Sequence, residues 1–93
     1  MTFTKESAVN RAKSDLAQRV GVPPAEIAII SVTDKDFPNA SLGAPTDGEM
    51  SAEMISSGWQ ISLGTDSDKF EYRADKYQVR LYRYKGKNYI IES

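Results

Sequence analysis

Phe37-Pro38-Asn39-Ala40-Ser41-Leu42-Gly43-Ala44-Pro45 is where the reading of this chain turns. Pro38 fixes φ near the value wanted at the second position of a β-turn and Asn39 suits the third, so Phe37 to Ala40 reads as a turn. Pro45 pushes Ala44 towards an extended conformation. Between them Ser41, Leu42 and Gly43 set a small polar group, an apolar anchor and a hinge in a row, which makes a shaped loop. A first strand candidate ends at this loop, and the rest of a sheet follows it.

Upstream, Thr4 can cap a helix in which Ala8, Ala12, Leu16 and Val20 recur four apart, with Val9 and Ala17 beside them and Gly21 as the stop. Its other face carries Asn10, Arg11, Lys13, Asp15 and Gln18, the solvated side of an amphipathic helix. Val22-Pro23-Pro24 turns the chain. Ile27 to Thr33 then has β-branched residues at five of seven positions and predicts a strand.

Downstream, Met50 to Ser56 fits a strand better than a helical turn, and Ser57-Gly58 reads as a break, with a bulge or tight bend at Gly58. Trp59, Ile61 and Leu63 alternate with polar residues, and Phe70, Tyr72 and Ala74 do the same. From Gln78 to Tyr84, alternation sets Val79, Leu81 and Arg83 against Arg80, Tyr82 and Tyr84. Lys85-Gly86-Lys87 turns into a last strand. The expected architecture is α+β: one N-terminal helix packed on an antiparallel sheet of four to five strands, in a single domain over residues 1–93.

Composition narrows the chemistry. There is no cysteine and no histidine among 93 residues, so thiolate and imidazole metal sites, disulfides and a Ser-His-Asp triad are all excluded. Ser41 has no base at a known spacing. No enzyme is expected, and no cofactor or metal. Asp34-Lys35-Asp36 and Asp66-Ser67-Asp68 resemble the opening of a calcium loop but lack its later glycine and glutamate, so both read as turns. The net charge of -1 gives no global field for a polyanion. No apolar run could span a membrane and no signal core opens the chain, so a cytoplasmic location is expected, with the mature form of an exported protein as the other reading.

Charge is uneven along the chain. Residues 34 to 68 hold seven acids against Lys35, a balance of -6, and residues 69 to 87 hold seven bases against Glu71 and Asp75, a balance of +5. The basic part interleaves Arg73, Arg80 and Arg83 with Tyr72, Tyr77, Tyr82 and Tyr84, a composition suited to stacking on single strands. Solubility and strand register explain the same pattern.

The loop, together with Gly58-Trp59-Gln60-Ile61 and Phe70-Glu71-Tyr72-Arg73-Ala74-Asp75, resembles a group of small bacterial domains of uncharacterised function, frequent in cyanobacteria. They share a [Trp/Phe]-Pro-[Asp/Asn]-Ala-Ser-Leu-Gly-Cys-Pro loop, a Gly-Tyr-x-Ile strand and a Tyr-Glu-Tyr-x-x-Asp strand. The resemblance also implies a cysteine at the place of Ala44, with a partner near Tyr82; here that clamp is missing. It brings no activity with it.

The expected function is therefore a non-catalytic binding or interaction module for a protein or small ligand, acting as a monomer and without a membrane. Phe37, Asn39, Ser41, Leu42, Trp59, Tyr72 and Arg73 are its candidate binding residues. A protease-inhibitor-like presentation of the 37–45 loop is the alternative, and single-stranded nucleic acid on the basic C-terminal strands is the weakest reading.

Overall fold

A computed structural model describes residues 2–93. Helix α1 (Lys5–Val20) opens on a reciprocal cap: Thr4 Oγ1 accepts from the Ser7 N–H at 3.1 Å, and Ser7 Oγ accepts from the Thr4 N–H at 2.8 Å. Gly21, in a left-handed conformation, ends it. Ala8, Val9, Ala12, Leu16 and Ala17 are buried, so a stripe of small side chains around one leucine sets the helix close against the sheet.

The sheet comprises β1 (Ala28–Phe37), β2 (Ser56–Gly64), β3 (Lys69–Ala74), β4 (Val79–Tyr84) and β5 (Lys87–Glu92). Its spatial order is β1-β2-β3-β4-β5 and every neighbouring pair is antiparallel. The chain is thus an α+β arrangement of one N-terminal helix on a five-stranded meander. Ile61, Leu63, Tyr72, Ala74, Val79 and Leu81 meet the helix stripe in the core, with Trp59 packed at its margin.

Four boundaries differ from the sequence expectation. β1 runs on through Asp34-Lys35-Asp36 to Phe37, because an edge strand exposed on both faces needs no apolar alternation to persist. Phe37 is therefore a strand end, and the turns follow it, with the Leu42 N–H donating to the Asn39 carbonyl and the Ala44 N–H to that of Ser41. Residues 50–55 form no strand; they are tied to the loop by the Ala52 carbonyl, which accepts from the Ala40 N–H at 3.0 Å. Gly58 lies inside β2 without a break: a Cβ there would collide with the Ala74 carbonyl oxygen, so the glycine permits close strand approach. Finally, a register shift between Leu81 and Tyr84 turns Tyr84 onto the helix side and leaves Arg83 exposed.

Candidate functional site

The helix covers one face of the sheet, and the loop after β1 lies back over the other. Phe37, Ser41, Leu42 and Ala44 are all buried, yet none belongs to the helix-side core. Leu42 reaches this place at a cost in backbone conformation. Its φ is 59° and that of Gly43 is 66°, the paired positive values that a type I′ turn requires, with the Ala44 N–H closing on the Ser41 carbonyl at 3.0 Å. A branched residue is disfavoured there, and complete burial of its side chain offsets the strain. Gly43 is fixed by sterics as well, since a Cβ would stand 2.7 Å from Nη1 of Arg73.

Sheet side chains grip the loop by its backbone. Gln78 Nε2 donates to the Ala40 carbonyl at 2.7 Å, Arg73 Nη1 to Leu42 at 3.0 Å, Arg80 Nη1 to Ala44 at 3.1 Å, and Asn88 Nδ2 to Pro45 at 2.8 Å. Within the loop, Asn39 Oδ1 accepts from the Ser41 N–H, the Ser41 hydroxyl and the Gly43 N–H.

Arg73 and Arg80 face each other directly across β3 and β4. Two like charges so placed repel. Each is neutralised locally: Arg73 Nε donates to Glu71 at 2.7 Å, and Arg80 holds both carboxylate oxygens of Glu49 at 2.6 Å in a forked pair. Arg80 lowers the Glu49 carboxyl from its ordinary 4.5 to about 2, outweighing the opposing effect of burial, and the Thr46 N–H adds to it. The Arg73 guanidinium also stacks on the Tyr82 ring, 3.7 Å from its centroid, and lies 5.5 Å from that of Phe37.

The candidate residues thus divide in two. Phe37, Asn39, Ser41, Leu42 and Arg73 come together on the loop side. Trp59 and Tyr72 belong to the helix side, where the buried Tyr72 hydroxyl donates to Asp15 at 2.7 Å and Arg19 pairs with the same carboxylate. Burial, and then the bond to Asp15, push the Tyr72 hydroxyl well above its usual range, so it keeps its proton and acts as a tie between helix and sheet.

Sequence reasoning missed the clamps Gln78, Arg80, Glu49 and Asn88. It also missed a groove of about 470 Å³ beside the loop, lined by Ala40, Met54, Ile55, Ser57, Lys76 and Tyr77 among others. Met54 is 58% exposed, Ile55 72% and Tyr77 70%, so three large apolar side chains stand in water around one hollow. Met54 and Ile55 fall in the 50–56 stretch that the sequence favours as strand, and Tyr77 in a turn, so neither segment announces the hollow.

Among the described residues no three or more Asp or Glu side chains gather as metal ligands, and no helix is long and apolar enough to cross a membrane. No curated protein and no solved structure matches the chain. A family model for a domain of unknown function (DUF8738) matches residues 9–82, which takes in most of α1, the loop and the sheet as far as β4, and the chain belongs to that family.

Proposed function

We propose that the chain is a non-catalytic binding module whose contact surface is the groove where the loop meets residues 54–57 and 75–78, and that it takes an extended apolar segment of a partner protein. The exposure of Met54, Ile55 and Tyr77 around one groove carries this reading. Isolated apolar side chains on a surface need no explanation, but a cluster of three does. Methionine adapts its shape to a partner, and tyrosine supplies a large rigid contact with a polar end. The loop contributes by fixing the wall at Ala40, whose carbonyl is held by Gln78 and whose N–H is held by Ala52. A pre-ordered wall lowers the entropy lost on binding.

This geometry favours a groove over an inhibitor loop. A substrate mimic offers its backbone to a protease, whereas here the Ala40, Leu42, Ala44 and Pro45 carbonyls are already engaged from the sheet. The loop and strand motifs support a bacterial source, and a chain without cysteine suits a reducing cytoplasm, where no disulfide is needed.

The test is capture of a partner from the parent cell by the wild-type domain and by Ile55→Asp and Tyr77→Ala. Both variants should lose the captured protein while their melting temperatures stay within about three degrees of wild type. Undiminished capture by Ile55→Asp would end the proposal.

A further inference from the structure

Among the described residues, three other than glycine hold positive φ: Leu42 at 59°, Arg83 at 50° and Lys85 at 52°. Burial compensates Leu42. Arg83 and Lys85 are exposed, so no core contact compensates them. Lys85 and Gly86, whose φ is 82°, form the two-residue turn between β4 and β5, where Tyr84 pairs with Lys87. Both φ values are positive, as in a type I′ turn, and asparagine or aspartate before glycine fits that turn better than lysine. Arg83 sits at the register shift of β4, again a site that asparagine or glycine fits better. Twice within three residues the chain has a cation where a smaller residue would fold with less strain.

Both cations border the same place. A groove of about 460 Å³ at the C-terminal end of α1 is lined by Val20, Asp68, Lys69, Phe70, Arg83, Tyr84 and Lys85. Its aromatic residues, Phe70 and Tyr84, have ring centroids 6.0 Å apart and planes inclined at 33°. Ion pairs among the described residues engage Lys5, Arg11, Arg19, Arg73 and Arg80, but not Lys69, Arg83 or Lys85. Three cations outside any ion pair therefore line a groove with one carboxylate, that of Asp68; Lys85 Nζ lies 5.4 Å from the centroid of the Tyr84 ring, and the Arg83 guanidinium 5.2 Å from that of Tyr82. The basic segment read from the sequence is thus sorted by the fold: Arg73 and Arg80 are spent on the loop, Lys76 and Lys87 stand elsewhere, and Lys69, Arg83 and Lys85 gather beside two rings.

We propose that this groove binds single-stranded nucleic acid, with phosphates against Lys69, Arg83 and Lys85 and a base against Phe70 and Tyr84. Cations that follow a phosphate backbone beside aromatic faces are the recurring means of holding single strands without reading their sequence. The groove lies at the end of β3 and β4 opposite the Met54, Ile55 and Tyr77 hollow, so the proposal stands independently of the one above.

The experiment is fluorescence anisotropy of a labelled short oligothymidylate titrated with the protein at low and at physiological salt. Binding is expected at low salt, weakening as salt rises. Lys85→Asn should weaken it about fivefold, the loss of one charge-assisted contact, while the melting temperature holds or rises because Asn-Gly suits the turn. Lys35→Gln removes the same charge at the opposite end of the sheet, where Lys35 pairs with Gly58, and should leave affinity unchanged. No binding at low salt would overturn the proposal. So would equal losses in the two variants, which would indicate net charge alone, or competition by free thymidine monophosphate as strong, per nucleotide, as by the unlabelled strand.

Discussion

The carboxamide oxygen of Asn39 takes three donors at once, the Ser41 N–H at 3.1 Å, the Ser41 hydroxyl at 2.8 Å and the Gly43 N–H at 2.9 Å. All three partners donate, so the position requires an acceptor and has no use for the amide's own hydrogens in these bonds. Asn39→Ala should then cost about 2 kcal/mol, since part-buried donors lose their partner and the turn loses its brace. Asn39→Asp keeps the acceptor and should recover most of that. Urea unfolding of the two variants checks this; equal losses would show that the oxygen does not hold the loop. Ser41, buried beside it, places its hydroxyl in the same cluster, which is why its polarity is tolerated in the interior.

At the scale of elements, α1 is held by one large side chain among small ones. Leu16 is wholly buried, so Leu16→Ala should cost roughly 2 to 4 kcal/mol in chemical denaturation, whereas Gln18→Ala on the exposed side should be near neutral. Comparable losses would mean that the faces are misassigned. The helix and the strands over Trp59 to Tyr82 were legible because burial on one side imposes a period, of 3.6 or of 2, on the sequence. The far end of β1 was not, since a strand with both faces in water imposes none and Asp34-Lys35-Asp36 then looks like a turn. Nor was the reversal of Tyr84 visible, because a bulge adds one residue without changing the residue types around it. The loop showed its shape through Pro38 and Pro45 but not its seat. Arg73 and Arg80 bond to carbonyls, and every residue has a carbonyl, so nothing in the loop's side chains announced them.

Over the whole molecule, the sheet is covered on one side by a helix through apolar packing and on the other by a loop through arginine and amide donors. The two sides should differ in their response to acid. The folded Glu49 carboxyl, near 2 against an ordinary 4.5, contributes stability that is present above about pH 4.5 and lost as pH falls through about 2. Protonation there leaves the Arg80 guanidinium buried without its counter-charge. Melting temperatures measured from pH 7 to pH 2 should fall across that window for the wild type, and fall less for Glu49→Gln, which starts lower at neutral pH. Parallel curves would remove the Glu49–Arg80 pair from the account. Between about pH 6 and 8 the melting temperature should be level, as a chain without histidine or cysteine has no side chain ordinarily titrating there.

The donors that seat the loop all come later in the chain than the loop itself. Leu42 waits for Arg73, Ala44 and Glu49 for Arg80, and Pro45 for Asn88, with separations of 31, 36, 31 and 43 residues. A ribosome adds roughly 5 to 20 residues per second, so the nascent loop spends seconds without its clamps. Throughout that interval Phe37 and Leu42, both buried in the finished fold, have no sheet face to enter. The helix and the β1–β2 hairpin can form as they emerge. The loop cannot be seated until β4 has joined the sheet and β5 has brought Asn88 alongside, so the segment that precedes β2 in sequence is among the last to settle in time.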